Sequence, residues 1–315
     1  MMSGNKTKLQ VIEGGIYPTM LIAYTPENQI DYVAMEALIE WYIAEGVHGI
    51  FALCHSTEVH CLSLEERLEV ARFVLKQVNG RVPVVMAGVM AYEIEEQIKE
   101  AKMFAQLKPD ALVLMTNRLC EKKEDSLIPR MEALIDALPK ELALGVYECP
   151  EPYKRVITDE ELEYMAKSKK VSFIKDTCCD VAQMKRRAKI VEGSSLKLFN
   201  ANCTTLHQSL KFGYAGFSGI MANFHPALYS WIYEHQEDSK AERLSAYLGV
   251  TSLVEHKCYP IPAKRYLKEY VGLPIGDACR SVEDKTVPTL SSELHDIYVM
   301  TQIAHELINV PIRKY

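Results

Sequence analysis

The sequence predicts an α/β protein, a (β/α)8 TIM barrel with a C-terminal helical appendix. Short apolar, β-branched runs alternate with segments of helical periodicity, and eight such units follow one another at regular spacing. Beyond Pro226 the pattern is wholly helical. A doubly wound sheet is the alternative, but eight regular units without a glycine fingerprint favour a closed barrel. We therefore expect the eight strands within residues 1–225, and the last barrel helix with further packed helices within 226–315.

Each element has a local signal that predicts it. Strands are expected where apolar runs are bounded by turn residues, at 14–24, 49–53, 82–88, 111–115, 141–147, 171–175, 196–200 and 216–220. Helices are expected where apolar residues recur every three or four positions, at 35–46, 64–75, 93–107, 126–138, 158–167, 180–192, 204–212, 239–255, 261–271 and 291–308. Ser63 with Glu66, and Thr158 with Glu161, form capping boxes that mark two helix starts.

Composition indicates a soluble protein with no nucleic-acid or membrane partner. The net charge of −6 provides no basic excess to match phosphates. No stretch approaches the roughly 18 apolar residues of a membrane span. The nine cysteines form no CxxC pair, which favours free thiols, and the polar first ten residues do not resemble a secretory signal. We therefore expect a cytoplasmic protein.

The most informative stretch is the sixth strand, which ends in Lys175. An amine at the mouth of an apolar strand is partly desolvated, which lowers its pKa, and a neutral amine can attack a carbonyl carbon. The alternative is a strand-end lysine that extends its charge into solvent. In such a barrel, chemistry lies at the C-terminal ends of the strands. By this rule the following residues share one mouth with Lys175: His55, Ser56, Thr57, Asn117, Arg118, Tyr147, Asn200, Ser218 and Gly219.

No cofactor or metal is expected from the motifs. The chain has no P-loop and no G-x-G-x-x-G sequence, so nucleotide binding has no support. Cys54, His55, His60 and Cys61 form a cluster of soft ligands that would suit zinc. These four residues span a loop and a helix start, however, and would be strained in a tetrahedral arrangement.

Four short motifs occur in a fixed order along nearly the whole chain. Residues 54–58 take the position of a G-[TS]-T-G-E loop, and 62–67 match the helix start L-[ST]-x-E-E-R. Residues 147–150 match Y-N-x-P in part, and 173–176 match G-[IL]-K-[DE] in part. Tyr147 and Lys175 lie 28 positions apart, the interval that this pattern requires. The ordered set resembles the dihydrodipicolinate synthase / N-acetylneuraminate lyase family of class I aldolases.

The resemblance implies a cofactor-free lyase or aldolase with three catalytic residues. Lys175 would form a Schiff base with a 2-keto acid, usually pyruvate, and Tyr147 would donate and accept protons. Ser56 would hydrogen-bond the keto-acid carboxylate, and Ser218 and Gly219 would offer backbone groups to it. The family's common state implies a homo-oligomer, a tetramer.

The chain departs from the family pattern in the loops that face the second substrate. Cys54 and Thr57 replace both glycines of the first loop, and His55 stands where a hydroxyl is expected. We expect His55 and Thr57 to contact substrate. Arg118 follows strand 4 and could bind an anionic substrate tail, because a guanidinium pairs well with carboxylate or phosphate. The arginine that binds the second substrate in true synthases is absent at its offset, and Arg155 is a candidate stand-in.

Three functions therefore stay open from the sequence. The first is a Schiff-base aldolase whose aldehyde partner is not identified. The second is a true dihydrodipicolinate (4-hydroxy-tetrahydrodipicolinate) synthase with a rebuilt proton relay, because residues 115–118 lack the relay tyrosine that the family's synthases carry after strand 4. The third is a keto-acid-binding protein that keeps the barrel and has lost turnover, since fold alone does not fix function.

Overall fold

Eight parallel strands form one sheet in the computed structural model, which describes residues 11–120, 122–282 and 290–315. The strands are β1 Gly15–Ile16, β2 Ile50–Ala52, β3 Val84–Met86, β4 Ala111–Met115, β5 Ala143–Tyr147, β6 Val171–Asp176, β7 Lys197–Asn200 and β8 Gly216–Phe217. Their order is β1-β8-β7-β6-β5-β4-β3-β2. A bridge between Thr19 and Phe51 joins the two edges. The predicted (β/α)8 barrel is therefore confirmed.

Helices follow the strands in alternation. They are α1 Tyr32–Ala44, α2 Leu64–Val78, α3 Ile94–Ala105, α4 Ile128–Ala137, α5 Asp159–Ser168, α6 Val181–Val191, α7 Leu206–Lys211 and α8 Pro226–Glu234. Three more form the C-terminal part: α9 Ser239–Thr251, α10 Ile261–Tyr266 and α11 Ser291–Ile308. Both predicted capping boxes are present, at Ser63 and at Thr158. Within the described ranges, no helix is long and apolar enough to cross a membrane.

Aromatic rings fill the barrel below its C-terminal mouth. Phe173 of β6 stacks on Phe199 of β7 with ring centroids 4.5 Å apart, and Tyr17 packs edge-on against Phe199 at 4.9 Å. Phe51 of β2 closes the layer at 5.6 Å from Phe173. Side chains alternate along a strand, so Lys175, two positions after Phe173, also points inward and lies one layer higher. The rings thus form an apolar floor beneath the amine.

The first and last strands are shorter than predicted. β1 covers only Gly15–Ile16 of the expected 14–24, and β8 ends at Phe217 instead of residue 220. A Cβ on Gly216 would lie 1.8 Å from the carbonyl oxygen of Gly15, so the two chains pack backbone against backbone. Past Ile16, Pro18 provides no N–H for a ladder, and the segment pairs with β2 through the single Thr19 bridge.

Candidate active site

Lys175 and Tyr147 are direct neighbours at the ends of two adjacent strands. They are register partners in the β5–β6 pair, which explains their fixed interval in the sequence. The Nζ atom of Lys175 lies 4.3 Å from the centre of the Tyr147 ring and 5.8 Å from that of Phe51. Lys175 is only 4% exposed, and this burial lowers the pKa of its amine. A larger fraction of the amine is therefore neutral and nucleophilic at a given pH.

A buried arginine holds the two strand ends from outside the barrel. Glu148 and Asp176 follow Tyr147 and Lys175, so their side chains point outward, toward α6. Arg187 of α6 binds both carboxylates, with Nη2 at 2.7 Å from Glu148 Oε1 and Nη1 at 2.8 Å from Asp176 Oδ2. Burial alone would raise the pKa of Asp176, but the Arg187 charge lowers it. This network fixes the relative position of the amine and the phenol.

The loop after β2 places a serine hydroxyl at the mouth. Ser56 is buried, and its Oγ donates to Thr19 Oγ1 at 3.0 Å. Thr57 directs its hydroxyl to the carbonyl oxygen of Met20 at 2.6 Å, and its N–H to Cys54 O at 3.0 Å. Thr57, predicted to contact substrate, thus uses these donors within the protein and shapes the loop around Ser56.

The loop is clamped by the C-terminal part of the chain. Glu58 has a left-handed backbone, with φ of 52°, and its carboxylate pairs with Lys264 of α10 at 3.1 Å. The same carboxylate accepts the backbone N–H groups of Arg280 and Ser281, each at 2.7 Å. Burial would raise the pKa of Glu58, but the Lys264 charge and the hydrogen bonds from Ser281 lower it, so the carboxylate stays ionised.

His55 faces the mouth as a neutral ring. It stacks on His60 with centroids 5.3 Å apart and planes inclined by 17°. Burial, and then the proximity of His60 and Lys175, lowers the pKa of His55 to about 4. The imidazole can therefore donate or accept a hydrogen bond near neutral pH, but it carries no charge there.

A cavity of about 430 Å³ lies next to these groups, and His55 lines it, whereas Lys175, Tyr147 and Ser56 are not among its lining residues. Its lining includes His55, Cys149, Tyr92, Arg118 and Tyr259. The Arg118 guanidinium lies 3.9 Å above the centre of the Tyr92 ring. Within the described residues, the buried Nε of Arg118 has no hydrogen-bond partner. Among the described residues, the cavity thus brings together an imidazole, two phenols and the Arg118 guanidinium.

The predicted strand-8 residues lie at the top of that strand. The N–H of Ser218 donates to Asn200 O at 2.8 Å, while its buried hydroxyl has no partner in the described part of the chain. A Cβ on Gly219 would lie 2.5 Å from the carbonyl oxygen of Ala201, so the close packing there requires glycine. Both residues belong to the strand ends that form the mouth.

The structure bears on two further interpretations of the sequence, Arg155 as a substrate-binding arginine and the cysteine–histidine cluster as a metal site. Arg155, the candidate stand-in for substrate recognition, is buried and binds both carboxylate oxygens of Glu161 through its terminal nitrogens. Arg118 is therefore better placed than Arg155 to contact a substrate in the cavity.

Among the described residues, no group of three or more His, Cys, Asp or Glu side chains is arranged to hold a metal ion.

Sequence reasoning missed three groups that reach the mouth from the last third of the chain. Tyr259 donates to Ser56 Oγ at 3.0 Å, and Asn223 Nδ2 donates to the Tyr259 oxygen at 2.8 Å. Burial raises the pKa of Glu255 to about 7, while the charge of Lys175 opposes this rise. The strand-end rule could not select Glu255 and Tyr259, because they lie in the C-terminal helical region beyond α8. Asn223 lies between β8 and α8, where the rule could have found it.

Comparisons with known sequences agree with the motifs. A family model described as the dihydrodipicolinate synthetase family matches residues 13–294. The 4-hydroxy-tetrahydrodipicolinate synthase of Thermodesulfovibrio yellowstonii is 26% identical over 288 residues, covering 87% of this chain and 97% of its own. That of Clostridium perfringens (strain SM101 / Type A) is 26% identical over 206 residues, covering 65% and 69%.

Solved structures share the fold. A sialic acid aldolase from Ruminococcus gnavus, described as a catalytic lysine mutant, aligns with a TM-score of 0.80 at 18% identity, over 97% of this chain and 99% of its own. YagE, a prophage protein of E. coli K12 solved with pyruvate, aligns with a TM-score of 0.78 at 23% identity, over 92% and 98%. At these identities the likeness demonstrates a common architecture.

Proposed function

The chain belongs to the dihydrodipicolinate synthetase family, and from that premise we propose that Lys175 forms a Schiff base with a 2-keto acid, pyruvate being the first candidate. Family membership makes the chain a carbon–carbon lyase. The observation that carries the proposal is the buried amine of Lys175, 4.3 Å from the Tyr147 ring centre on an apolar floor. The E. coli neighbour solved with pyruvate supports the choice of keto acid.

The proposed reaction uses the amine as nucleophile and electron sink. The neutral Nζ attacks the C2 carbonyl of the keto acid, and loss of water leaves a protonated imine. In a 4-hydroxy-2-keto acid, the imine accepts the electron pair when the bond between C3 and C4 breaks and the C4 hydroxyl gives up its proton, which leaves an enamine and releases an aldehyde. Protonation of the enamine at C3 and hydrolysis of the imine then release pyruvate and restore the free amine. In the reverse direction the enamine carbon attacks an aldehyde and forms that bond.

Tyr147 is the proposed proton carrier for these steps. Burial keeps the pKa of its phenol well above the usual value, so the group is protonated at neutral pH. It can donate to the departing hydroxyl during imine formation and recover a proton afterwards. Its position beside Lys175 in the β5–β6 register supports this role.

We propose that the keto-acid carboxylate binds beside Ser56, close to Ser218 and Gly219, and that the second substrate occupies the cavity. Arg118 is the proposed contact for an anionic tail on that substrate, and His55 a neutral hydrogen-bonding group. A bound carboxylate would satisfy the guanidinium, whose Nε has no partner among the described residues.

Reductive trapping tests the proposal directly. Pyruvate with sodium borohydride should attach a reduced adduct to Lys175, identified by peptide mass spectrometry, and Lys175→Met should abolish it. Lys170→Met is the matched control, since Lys170 is buried immediately before the same strand and its amine donates to Pro139 O. Absence of a Lys175 adduct across a panel of 2-keto acids would contradict the proposal.

The same experiments separate the alternatives. A trapped adduct without release of any aldehyde, together with ligand-induced thermal stabilisation, would indicate a keto-acid-binding protein. If the gene for this chain allows a diaminopimelate-requiring bacterium to grow without added diaminopimelate, the chain is a true synthase.

We also propose that the chain forms a homo-oligomer, a tetramer. One solved neighbour is described as the first monomeric dihydrodipicolinate synthase variant, which supports oligomers as the usual state of that enzyme. Light scattering coupled to size exclusion would give the mass in solution, and a monomer would contradict this part of the proposal.

A further inference from the structure

Tyr259 reaches the barrel mouth from the segment before α10. Its hydroxyl donates to Ser56 Oγ at 3.0 Å and accepts a hydrogen bond from Asn223 Nδ2 at 2.8 Å. Asn223 is itself held by the Tyr42 hydroxyl at its Oδ1 and by the carbonyl oxygen of Thr19, 2.9 Å from its Nδ2. The phenol is thus fixed at a defined point above the serine.

The hydrogen bonds around the phenol run in one direction. Asn223 can only donate through its amide nitrogen, so the Tyr259 oxygen is the acceptor there. The phenol proton therefore points to Ser56, whose own proton points to Thr19 Oγ1 at 3.0 Å. An anion that arrives beside Ser56 meets two O–H donors that can turn toward it.

Tyr259 also lines the cavity that opens to solvent, and it is only partly buried. A tyrosine that serves packing alone needs no polar partners at an open site. Here the hydroxyl makes a hydrogen bond to the loop that carries Ser56.

We infer that Tyr259 is a further substrate-binding residue, whose hydroxyl donates a hydrogen bond to the keto-acid carboxylate together with Ser56. This inference rests on the proposed function, because it assumes that the keto acid binds at Lys175. The hydroxyl is a neutral donor, and burial raises its pKa above the usual value, so it keeps its proton throughout the working pH range.

Tyr259→Phe tests the inference, because it removes one oxygen and keeps the ring. A hydrogen bond to a charged group contributes enough that its loss should raise the half-saturating pyruvate concentration for trapping about tenfold or more. The maximal extent of trapping should stay the same. For pyruvamide, the uncharged analogue, the half-saturating concentration should rise much less. The preference for pyruvate over pyruvamide should therefore fall.

The matched control is Tyr266→Phe, since Tyr266 lies in the same C-terminal region and donates to Thr301 at 3.4 Å, away from the cavity. This variant should trap pyruvate like the wild type. Ser56→Ala should also reduce the preference for pyruvate over pyruvamide. Because both hydroxyls bind one carboxylate, the double variant Ser56→Ala with Tyr259→Phe should lose less affinity for pyruvate than the sum of the losses in the two single variants.

The outcomes distinguish the inference from the proposed function. If the wild-type protein forms no Lys175 adduct, the proposed function fails and the inference fails with it. Two results would overturn the inference alone, provided that the wild type forms the Lys175 adduct. One is an unchanged half-saturating pyruvate concentration in Tyr259→Phe. The other is an equal rise of the half-saturating concentrations of pyruvate and pyruvamide in that variant. Circular dichroism and thermal melting confirm that each variant is folded.

Discussion

At the residue scale, two side chains that line the cavity differ in charge. His55 is neutral near pH 7 because its pKa is lowered to about 4. The Arg118 guanidinium lies 3.9 Å above the centre of the Tyr92 ring, and a guanidinium can pair with a planar anion through two N–H groups. This difference supports the proposal that the second substrate is an aldehyde with a carboxylate or phosphate.

Replacement of Arg118 should separate charged from uncharged second substrates. Arg118→Gln should raise KM for an anionic aldehyde about tenfold or more, since a charge-assisted hydrogen bond is lost, and leave KM for pyruvate unchanged. The measurement is steady-state kinetics with anionic and neutral aldehydes of similar size. Arg186→Gln is the control, because Arg186 lies on the surface of α6. An equal effect on both aldehydes would show that Arg118 does not bind the charge.

The pairing of Lys175 with Tyr147 could be predicted from the sequence, and that of Tyr259 with Ser56 could not. Parallel strands of similar length place equivalent residues side by side, so the interval between the first two residues already carried the geometry. Tyr259 and Ser56 are separated by 203 positions, and their contact depends on how the C-terminal helices pack. The spacing of apolar residues in the sequence does not indicate such packing, because helices after the last strand have no fixed position on a barrel.

At the element scale, Arg187 joins β5, β6 and α6. Removing it would leave the carboxylates of Glu148 and Asp176 buried without a counter-charge. Breaking a buried pair in this way costs about 3–5 kcal/mol, so Arg187→Met should be strongly destabilised in urea unfolding. Arg186→Met, the exposed neighbour, should unfold like the wild type. Equal stabilities of the two variants would contradict the structural role of Arg187.

Helix α1 ends at a carboxylate that destabilises the fold at high pH. Glu45 is its C-cap, where the helix dipole disfavours negative charge, and burial raises its pKa to about 7 despite the Arg313 charge. The pKa of Glu45 is higher in the folded than in the unfolded protein. The favourable contribution of its protonated carboxyl to the free energy of unfolding is therefore fully present below pH 4.5 and is lost as the pH rises through 7.

Glu45→Gln should therefore stabilise the protein more at pH 8 than at pH 5. We expect a gain of roughly 1 kcal/mol at pH 8, which corresponds to about 2–4 °C in Tm. Thermal melts at both pH values provide the measurement, and Glu36→Gln, an exposed position on the same helix, is the control. A Tm difference independent of pH would show that Glu45 ionises normally.

Short elements mark the limits of prediction at this scale. The bounds of α11 agree with the expected 291–308, because a helix of 18 residues repeats its apolar spacing over many turns. β1 and β8 were predicted too long, since apolar residues such as Leu21 and Ile22 continue past the ladder and are buried outside any strand. An apolar run predicts burial better than it predicts strand pairing.

At the scale of the whole molecule, the C-terminal part forms one wall of the mouth. The Glu58–Lys264 pair joins the loop after β2 to α10, and both side chains are buried. Lys264→Met should therefore lower stability by about 3–5 kcal/mol and also raise the half-saturating pyruvate concentration, because the Ser56 loop loses its clamp. Denaturant unfolding and borohydride trapping measure the two effects. The double variant Glu58→Gln with Lys264→Met should recover part of the stability, and a lack of recovery would contradict the pairing.

The mouth joins distant parts of the chain, and this has a consequence for biosynthesis. Thr19 and Ser56 leave the ribosome long before Tyr259 and Lys264. A nascent or prematurely terminated polypeptide can carry the Lys175 strand, but it lacks the wall that the C-terminal residues provide. We expect such fragments to bind little keto acid, so that keto-acid binding begins only after translation has passed Lys264.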